Sequence, residues 1–497
     1  MIKIVTEKCK GCGICTQDCP VNGIAIEGKV AVINQNCVSC GICKRVCKFN
    51  AIENDGLVLK DYIKCDHCPV RCTVYVDKVG ACGRYQNIDN RLLRTRKLVT
   101  DVKENKSNNT YQPLISAVGS GTNYPCSRPA PYIVQDNVHG VDVITVVTEA
   151  PLSYSGVKVK IDTNTNIGEE GAKVRRGGKI VGMVTTEEYG SKMLTIGGAN
   201  LLSHGNQGFC VARTIVDLVN GREVKLDVKD GSNIVVRQGK PPIINGILQD
   251  KMRVGCGSAT VAMFANKLCK VVDEAIVLDF HVIGLLSEHF AGHDVGMKYS
   301  GVVPCGTKST RGRYFGETGD GWGGTNILNP KDAIISVDMN VAKVGYKILV
   351  TETTGQNSAM FEIQEDGSVN KIKMSEEVNS VLNDIIGTCE DSSVSVIYTG
   401  GTGGSARAGV TSSPKKLTEA VHNNDVSLTI GGAQTYVLPG GGINFMVDVS
   451  KMIPDSITWV PTPATVAPVE YTMTKDVFEN LGGHKHCVVM KKDIVKE

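Results

Sequence analysis

Nineteen cysteines in a 497-residue chain are the residues with the most chemistry to offer, and twelve of them fall within the first 82 positions. The stretch CKGCGICTQDCP supplies Cys9, Cys12, Cys15 and Cys19, and CVSCGICKRVCK supplies Cys37, Cys40, Cys43 and Cys47. Both have the C-x2-C-x2-C-x3-C spacing that holds [4Fe-4S] clusters. A tight loop wraps three thiolates around one cube, and the fourth cysteine, at the start of a helix, reaches the other cube. Cys9, Cys12, Cys15 and Cys47 are therefore expected to hold one cluster, and Cys37, Cys40, Cys43 and Cys19 the second. A pair of zinc sites is the competing reading, but three cysteines at two-residue gaps crowd too many thiolates around one tetrahedral ion. Lys48 stands where the motif has proline, which alters the turn after Cys47 and leaves the ligand count unchanged.

A third group follows in CDHCPVRCTVYVDKVGACGRY. Cys65, Cys68, Cys72 and Cys82 are spaced C-x2-C-x3-C-x9-C, enough for a third [4Fe-4S] cluster or a four-thiolate zinc site. The gaps depart from the paired C-x2-C knuckles of structural zinc. The C-x3-C-x2-C pattern of radical S-adenosylmethionine enzymes begins at Cys68 and Cys72 and fails at Tyr75. His67 reads more readily as a solvent-facing residue than as a ligand.

These thiols need elements to position them. Between the two runs, GIAIEGKVAVI alternates about a Glu27-Gly28 turn, as a hairpin should. Residues 1–60 then form a bacterial ferredoxin-like domain, and residues 61–100 a small four-cysteine module with its linker. The polar stretch KENKSNN, residues 103–109, continues as linker. Residues 110–497 form a large Gly-rich body, so the fold class is a multidomain α+β or α/β protein. Its β-branched runs VDVITVV, KIVGMVT, YKILVTE and VSVIYT read as strands. CVARTIVDLVNG, with Val211, Ile215 and Leu218 on one face and Gly221 past the end, and EEVNSVLNDIIGTC, with Val378, Val381, Leu382, Ile385 and Ile386, read as core helices. LTIGGA occurs at 194–199 and again at 428–433, which fits either an internal duplication into two lobes or two similar strand-to-loop corners.

Three stretches of the body could do chemistry. In VSVIYTGGTGGSARAGVTSSPKKLTEAV a strand, a glycine loop and a helix capped by Ser413-Pro414 would aim free amides at an anion. Gly401, Gly403, Gly404 and Ser405 supply the loop and Arg407 the charge; a plain tight turn is the alternative. HVIGLLSEHFAGHDVG has His281, Glu288, His289 and His293 in an order that does not make a zinc-protease motif. Proton donors or substrate contacts fit His281 and His289 better, and Gly292 argues for a loop there. KSTRGRYFGETGDGWGG sets Lys308, Arg311 and Arg313 beside Tyr314 and Trp322, a combination suited to a flat carboxylate. GSGTNYPCSRPAPY reads as a loop joining head and body, with Cys126 a buried thiol.

Composition excludes several classes. Hydrophobic residues at 41%, charged residues at 21% and a formal charge of +3 belong to a globular protein with neither a nucleic-acid nor a membrane surface. The start MIKIVTEKC leaves no room for a signal peptide before Cys9, and AIVLDFHVIGLL is interrupted by Asp279 and His281. The expectation is a cytoplasmic protein whose cysteines bind metal.

The ferredoxin runs, then CPVRC with GACGRY, NYPCSRPAPY, EAPLSYSGVKVKIDT, RVGCGSAT, KSTRGRYFGE, YTGGTGGSARAGVT, LPGGGINFMVDV and TWVPTPATVAPVEYTMT, resemble the 6-hydroxynicotinate reductase family in the same order along nearly the whole chain. That resemblance implies a two-electron reduction of 6-hydroxynicotinate to 1,4,5,6-tetrahydro-6-oxonicotinate, driven by reduced ferredoxin during anaerobic nicotinate degradation. It also implies a flavin (FAD), for which no fingerprint stands out in the residues. By residue type, Arg311 and Arg313 would clamp the carboxylate of a small N-heterocyclic substrate, and His281 and His289 would supply protons. A homo-oligomer is the expected assembly. Two other classes compete: a hydrolase of a cyclic amide with structural or sensing clusters, and an electron-transfer partner for another enzyme.

Overall fold

The structure, a computed structural model, describes residues 2–56, 61–65, 72–81, 83, 85–95, 130, 132–151, 156–163, 165, 167–186, 192–202, 205–252, 256–279, 281–306, 321–401, 407–437, 443–456, 458–460 and 464–493. The linker residues 103–109 and Cys126 lie outside them.

The head follows the cysteine spacing. Strands Ile2–Ile4 and Ile52–Asn54 pair antiparallel, as do Ile24–Glu27 and Val30–Ile33. The second hairpin turns at Gly28-Lys29, one residue later than the alternation predicts, because Glu27 pairs with Val30 and the two turn residues take φ 51° and 68°. Such a turn matches the twist of its strands. Each cysteine run feeds a one-turn helix, Ile14–Gln17 or Ile42–Val46, behind a left-handed glycine, Gly13 or Gly41. Beyond the head, Tyr62–Lys64 pairs with Thr73–Tyr75 and Tyr85–Ile88 with Arg91–Arg94.

The body has two sheet systems. Strands from residues 132–248 and 394–490 close into a barrel. Its longest pairing joins Val141–Pro151 to Ala464–Thr474, and the hairpin from Val426–Ile430 to Ala433–Val437 carries the chain from one half of the barrel to the other. The predicted helix CVARTIVDLVNG runs from Gly205 to Val219 and packs on strands of both halves. Val211, Ile215 and Leu218 are fully buried there, each contributing about 1.5–3 kcal/mol of hydrophobic burial.

Between the two barrel segments the chain makes a separate α/β layer, entered and left through the antiparallel pair Lys251–Met252 and Glu390–Asp391. Five strands are ordered His281–Leu285, Glu274–Asp279, Lys347–Glu352, Ser358–Ile363, Val369–Ile372. Helices Gly257–Leu268 and Glu376–Gly387 cover one face of this sheet. Every residue of Glu274–Asp279 is buried, because Ala275 and Val277 face those helices while Ile276 and Leu278 face a second apolar layer. A strand covered on both faces reads as a continuous apolar run.

The two LTIGGA copies share a strand and a left-handed glycine pair, with Gly197, Gly198, Gly431 and Gly432 all at positive φ. Their paths then part. The first copy enters the helix Ala199–Leu202, and the second turns into the hairpin strand Ala433–Val437.

At the start of the buried strand, Glu274 is fully enclosed. Its carboxylate accepts from the amides of Ala275 and Ser287 at 2.9 and 3.1 Å and from the hydroxyls of Ser287 and Ser300. Burial nevertheless pushes its pKa above the ordinary value. A raised folded-state pKa means that the native form binds the proton more tightly, so the associated stability is full below about pH 4.3 and is lost as pH rises through the folded pKa. Glutamine fits the same four partners without charge, since its oxygen takes both amides and its NH2 meets both serines. Glu274→Gln is therefore expected to be at least as stable as the parent near pH 8, whereas Glu274→Ala strands two buried amides and costs about 2–4 kcal/mol. Equal destabilisation of the two variants in calorimetry would refute this account.

Candidate iron-sulfur site and its contact with the body

The two cysteine runs cross over in space. Burial pushes the Cys15 thiol up to about 11, and the other thiols whose field it feels are Cys12, Cys9 and Cys47. Cys43, pushed up to about 12 by burial, feels Cys40, Cys37 and Cys19. Cys40, pushed up to about 11 by burial, feels Cys19 and Cys37. Each set thus takes three thiols from one run and the last from the other.

Backbone amides point at the sulfurs. Ala31 donates to Cys9 at 3.3 Å, Ala51 to Cys47 at 3.4 Å and Gly23 to Cys19 at 3.1 Å. Cys37 accepts from both the amide and the hydroxyl of Ser39. Such donors suit thiolates that carry charge from an iron-sulfur cluster and help set its potential. Among the described residues no three Cys, His, Asp or Glu side chains surround the position of a single ion. Two separated four-thiol sets with amide donors fit cubanes, whose ligands stand at the corners of a cluster and not around one point.

The two sets meet different surroundings. Cys12 is exposed, as is its neighbour Lys10. In the second run the position of Lys10 is taken by Val38, which is only 1% exposed. Val38 packs with Cys65, Cys72, Val74 and Tyr85 of the four-cysteine module and with Val134 and Val147 of the barrel. Ile42 and Val46 pack against Phe209 of the Gly205–Val219 helix. One turn on from Phe209, Arg213 lies 3.7 Å from Asp18, the residue before Cys19. Burial raises the Asp18 pKa, and Arg213 and Lys179 oppose that rise. The second set therefore sits against the body on two sides.

Of the four-cysteine module, Cys65 and Cys72 are described. Both are buried, and the Cys65 amide donates to the Cys72 carbonyl at 2.9 Å across the mouth of their hairpin. Cys68, Cys82 and His67 lie outside the described residues.

The predicted body residues do not converge among those described. Arg311 and Arg313 lie outside the described residues, with Lys308 and Tyr314, and so do Gly403, Gly404 and Ser405. Gly401 pairs with Ile443 at a bulge in its strand. Arg407 turns its guanidinium to the Thr418 hydroxyl on the helix Pro414–His422, so it is engaged within the fold. The residues that would receive a flavin phosphate thus offer no described cradle. The backbone of His281 pairs with Asp279 in a strand hairpin.

His289 is better defined, and it corrects one expectation. The stretch Phe290–Asp294 is a short helix and not a loop, with His289 as its N-cap. Gly292 fits inside because the chain passes close to the preceding turn; a Cβ there would stand 1.8 Å from the Leu286 carbonyl oxygen. The Ala291 amide donates to His289 Nδ1 at 3.1 Å, and His289 Nε2 lies 2.8 Å from Ser258 Oγ. With Nδ1 accepting, the proton sits on Nε2 and is donated to Ser258. A hydrolytic Ser-His pair needs the reverse arrangement.

Sequence reasoning passed over Val38, Phe209, Arg213 and the buried carboxylates. The contrast of Lys10 with Val38 at one position of two matching runs was the available signal.

Residues 2–25 match the family model described as a 4Fe-4S binding domain. With that head joined to a large mixed α/β body, the chain falls in the class of iron-sulfur oxidoreductases. Over 489 residues, 97% of this chain and 98% of the relative, it is 55% identical to the 6-hydroxynicotinate reductase of Eubacterium barkeri. The chain belongs to the 6-hydroxynicotinate reductase family. No solved structure matches it.

Proposed function

We propose that this protein reduces 6-hydroxynicotinate to 1,4,5,6-tetrahydro-6-oxonicotinate with electrons from reduced ferredoxin. The observation that carries the reading is the 55% identity to a 6-hydroxynicotinate reductase across nearly the full length of both chains. The reaction takes two electrons and two protons. Two [4Fe-4S] clusters, held by Cys9, Cys12, Cys15 and Cys47 and by Cys19, Cys37, Cys40 and Cys43, would together store that electron pair at the low potentials a stabilised ring demands.

The protein's own groups do the rest. The amides at Cys9, Cys19 and Cys47 stabilise the sulfur charge, and Val38 and Phe209 fix the second set against the body. His289, protonated on Nε2, donates to Ser258 and is the proposed proton source. Arg311 and Arg313 remain the proposed carboxylate clamp. Cys65, Cys68, Cys72 and Cys82 are proposed to hold a third cluster or zinc, and a flavin is carried by family resemblance alone.

The test is anaerobic. The holoprotein is reduced, freed of excess reductant and mixed with 6-hydroxynicotinate while its absorbance is followed. Reoxidation with formation of the tetrahydro product is the expected result. A reduced spectrum that stays unchanged would refute the substrate, and a ring-opened product without electron transfer would favour the amide hydrolase.

A further inference from the structure

The two thiol sets are inequivalent in a way that gives the head a direction. The second is walled in by Val38 against the module and barrel and by Ile42 and Val46 against Phe209. The first keeps Cys12 at the surface. Three exposed lysines flank it, each tied to a ligand or its loop. Lys10 lies between Cys9 and Cys12. Lys48 follows Cys47. The backbone of Lys29 lies so close to Gly11 that a Cβ there would stand 2.4 Å from the Lys29 oxygen.

Nearby charge does not cancel these lysines. Lys8 is paired with Glu53 at 3.2 Å, and Glu7 accepts the Thr6 hydroxyl at 3.1 Å. Lys10, Lys29 and Lys48 have no ion-pair partner among the described residues. Glu27, exposed at the hairpin turn, is the nearest carboxylate to Lys29 in sequence. A positive rim around an accessible redox centre steers a negative partner and fixes its orientation.

We propose that this face, with Cys12 exposed and Lys10, Lys29 and Lys48 adjoining the ligands and loop of its set, is the docking surface for an acidic iron-sulfur electron carrier. Electrons then enter at the Cys9, Cys12, Cys15 and Cys47 set and leave through the set buried on the body. Each encounter oxidises the carrier by one electron and reduces the head by one, with no bond made or broken, and two encounters supply the pair. The inference deepens the ferredoxin-dependent reading and rests on it.

Binding of an acidic bacterial two-cluster ferredoxin to the holoprotein is measured by calorimetry at low and moderate salt. The combined variant Lys10→Glu, Lys29→Glu, Lys48→Glu is expected to bind about tenfold more weakly or worse and to lose its salt dependence, while Lys371→Glu, exposed on the edge strand of the α/β layer, binds as the parent does. Iron content reports whether the triple variant has folded. In the parent itself, bound ferredoxin should protect Lys10, Lys29 and Lys48 from acetylation and leave Lys371 reactive. Unchanged affinity in an iron-replete triple variant, or absence of that protection, overturns the proposal. If viologen-reduced holoprotein fails to reduce the ring, the substrate reading falls, while ferredoxin binding still decides the surface.

Discussion

Cys47→Ala is expected to lose the cluster of the first cysteine run while keeping the cluster of the run to which Cys47 itself belongs. The reason is spatial: its thiol lies beside Cys15 with Cys12 and Cys9, and Cys43 lies with Cys40, Cys37 and Cys19. Removing one of four thiolates opens a cubane to solvent and loss. Head iron should fall from about eight atoms to about four, as for two cubanes becoming one. Ferredoxin-driven ring reduction should fall to about a hundredth or less, a loss of roughly 3 kcal/mol in transition-state terms. Double variants separate crossed from uncrossed ligation. Adding Cys12→Ala to Cys47→Ala should cost no further iron, because both residues serve one cluster, whereas adding Cys40→Ala should empty the head. Such non-additivity is the signature of groups that act as a unit. The reverse pattern, with Cys12→Ala emptying the head on top of Cys47→Ala and Cys40→Ala adding nothing, would show that each run serves its own cluster.

The second large effect is expected from Val38→Asp. Val38 shares a buried apolar cluster with Cys65, Cys72, Tyr85, Val134 and Val147, which offers a carboxylate no cationic partner among the described residues. Burying an unpaired charge costs several kcal/mol, which the protein avoids by opening the seam between head and body. The variant should load its iron and be reduced by dithionite, yet pass electrons to the ring at a rate lower by about 100-fold, the equivalent of roughly 3 kcal/mol. Lys10→Asp at the matching position of the first run should leave the melting temperature unchanged. Phe209→Ala attacks the same seam from the other side and should cost about 3–5 kcal/mol if its pocket stays open. A Val38→Asp protein that turns over at the parent rate would show that electrons do not cross at this seam.

The local form of the two cysteine runs was legible because iron-sulfur spacing is local. C-x2-C-x2-C-x3-C dictates a loop and a helical turn, and the Gly13-Ile14-Cys15 and Gly41-Ile42-Cys43 segments adopt the same form. The core helices were legible for the same reason, as Val211, Ile215 and Leu218 repeat at helical spacing. Barrel closure was not legible. It depends on pairings such as Thr145 with Thr472, whose partners are far apart in the chain, and nothing in either strand names the other. Nor did pattern reveal that the α/β layer interrupts the barrel, since its stem is only the pairs Lys251–Met252 and Glu390–Asp391. The helix at His289 was misread because Gly292 was weighed by propensity, whereas its close approach to Leu286 decided the matter.

That split stem has a consequence for how the polypeptide is made. A chain emerging from the ribosome completes the contacts within its head after about 56 residues, none of them waiting on the barrel. The barrel cannot shut until Ala464–Thr474 arrives to pair with Val141–Pro151, and in the interval the intervening layer can fold on its own stem. Synthesis then imposes an order: thiols emerge first, the residues that wall in the second set follow, and the sheet that holds that wall closes last. Until that closure the loops of the second set stay open on the side that the finished protein covers.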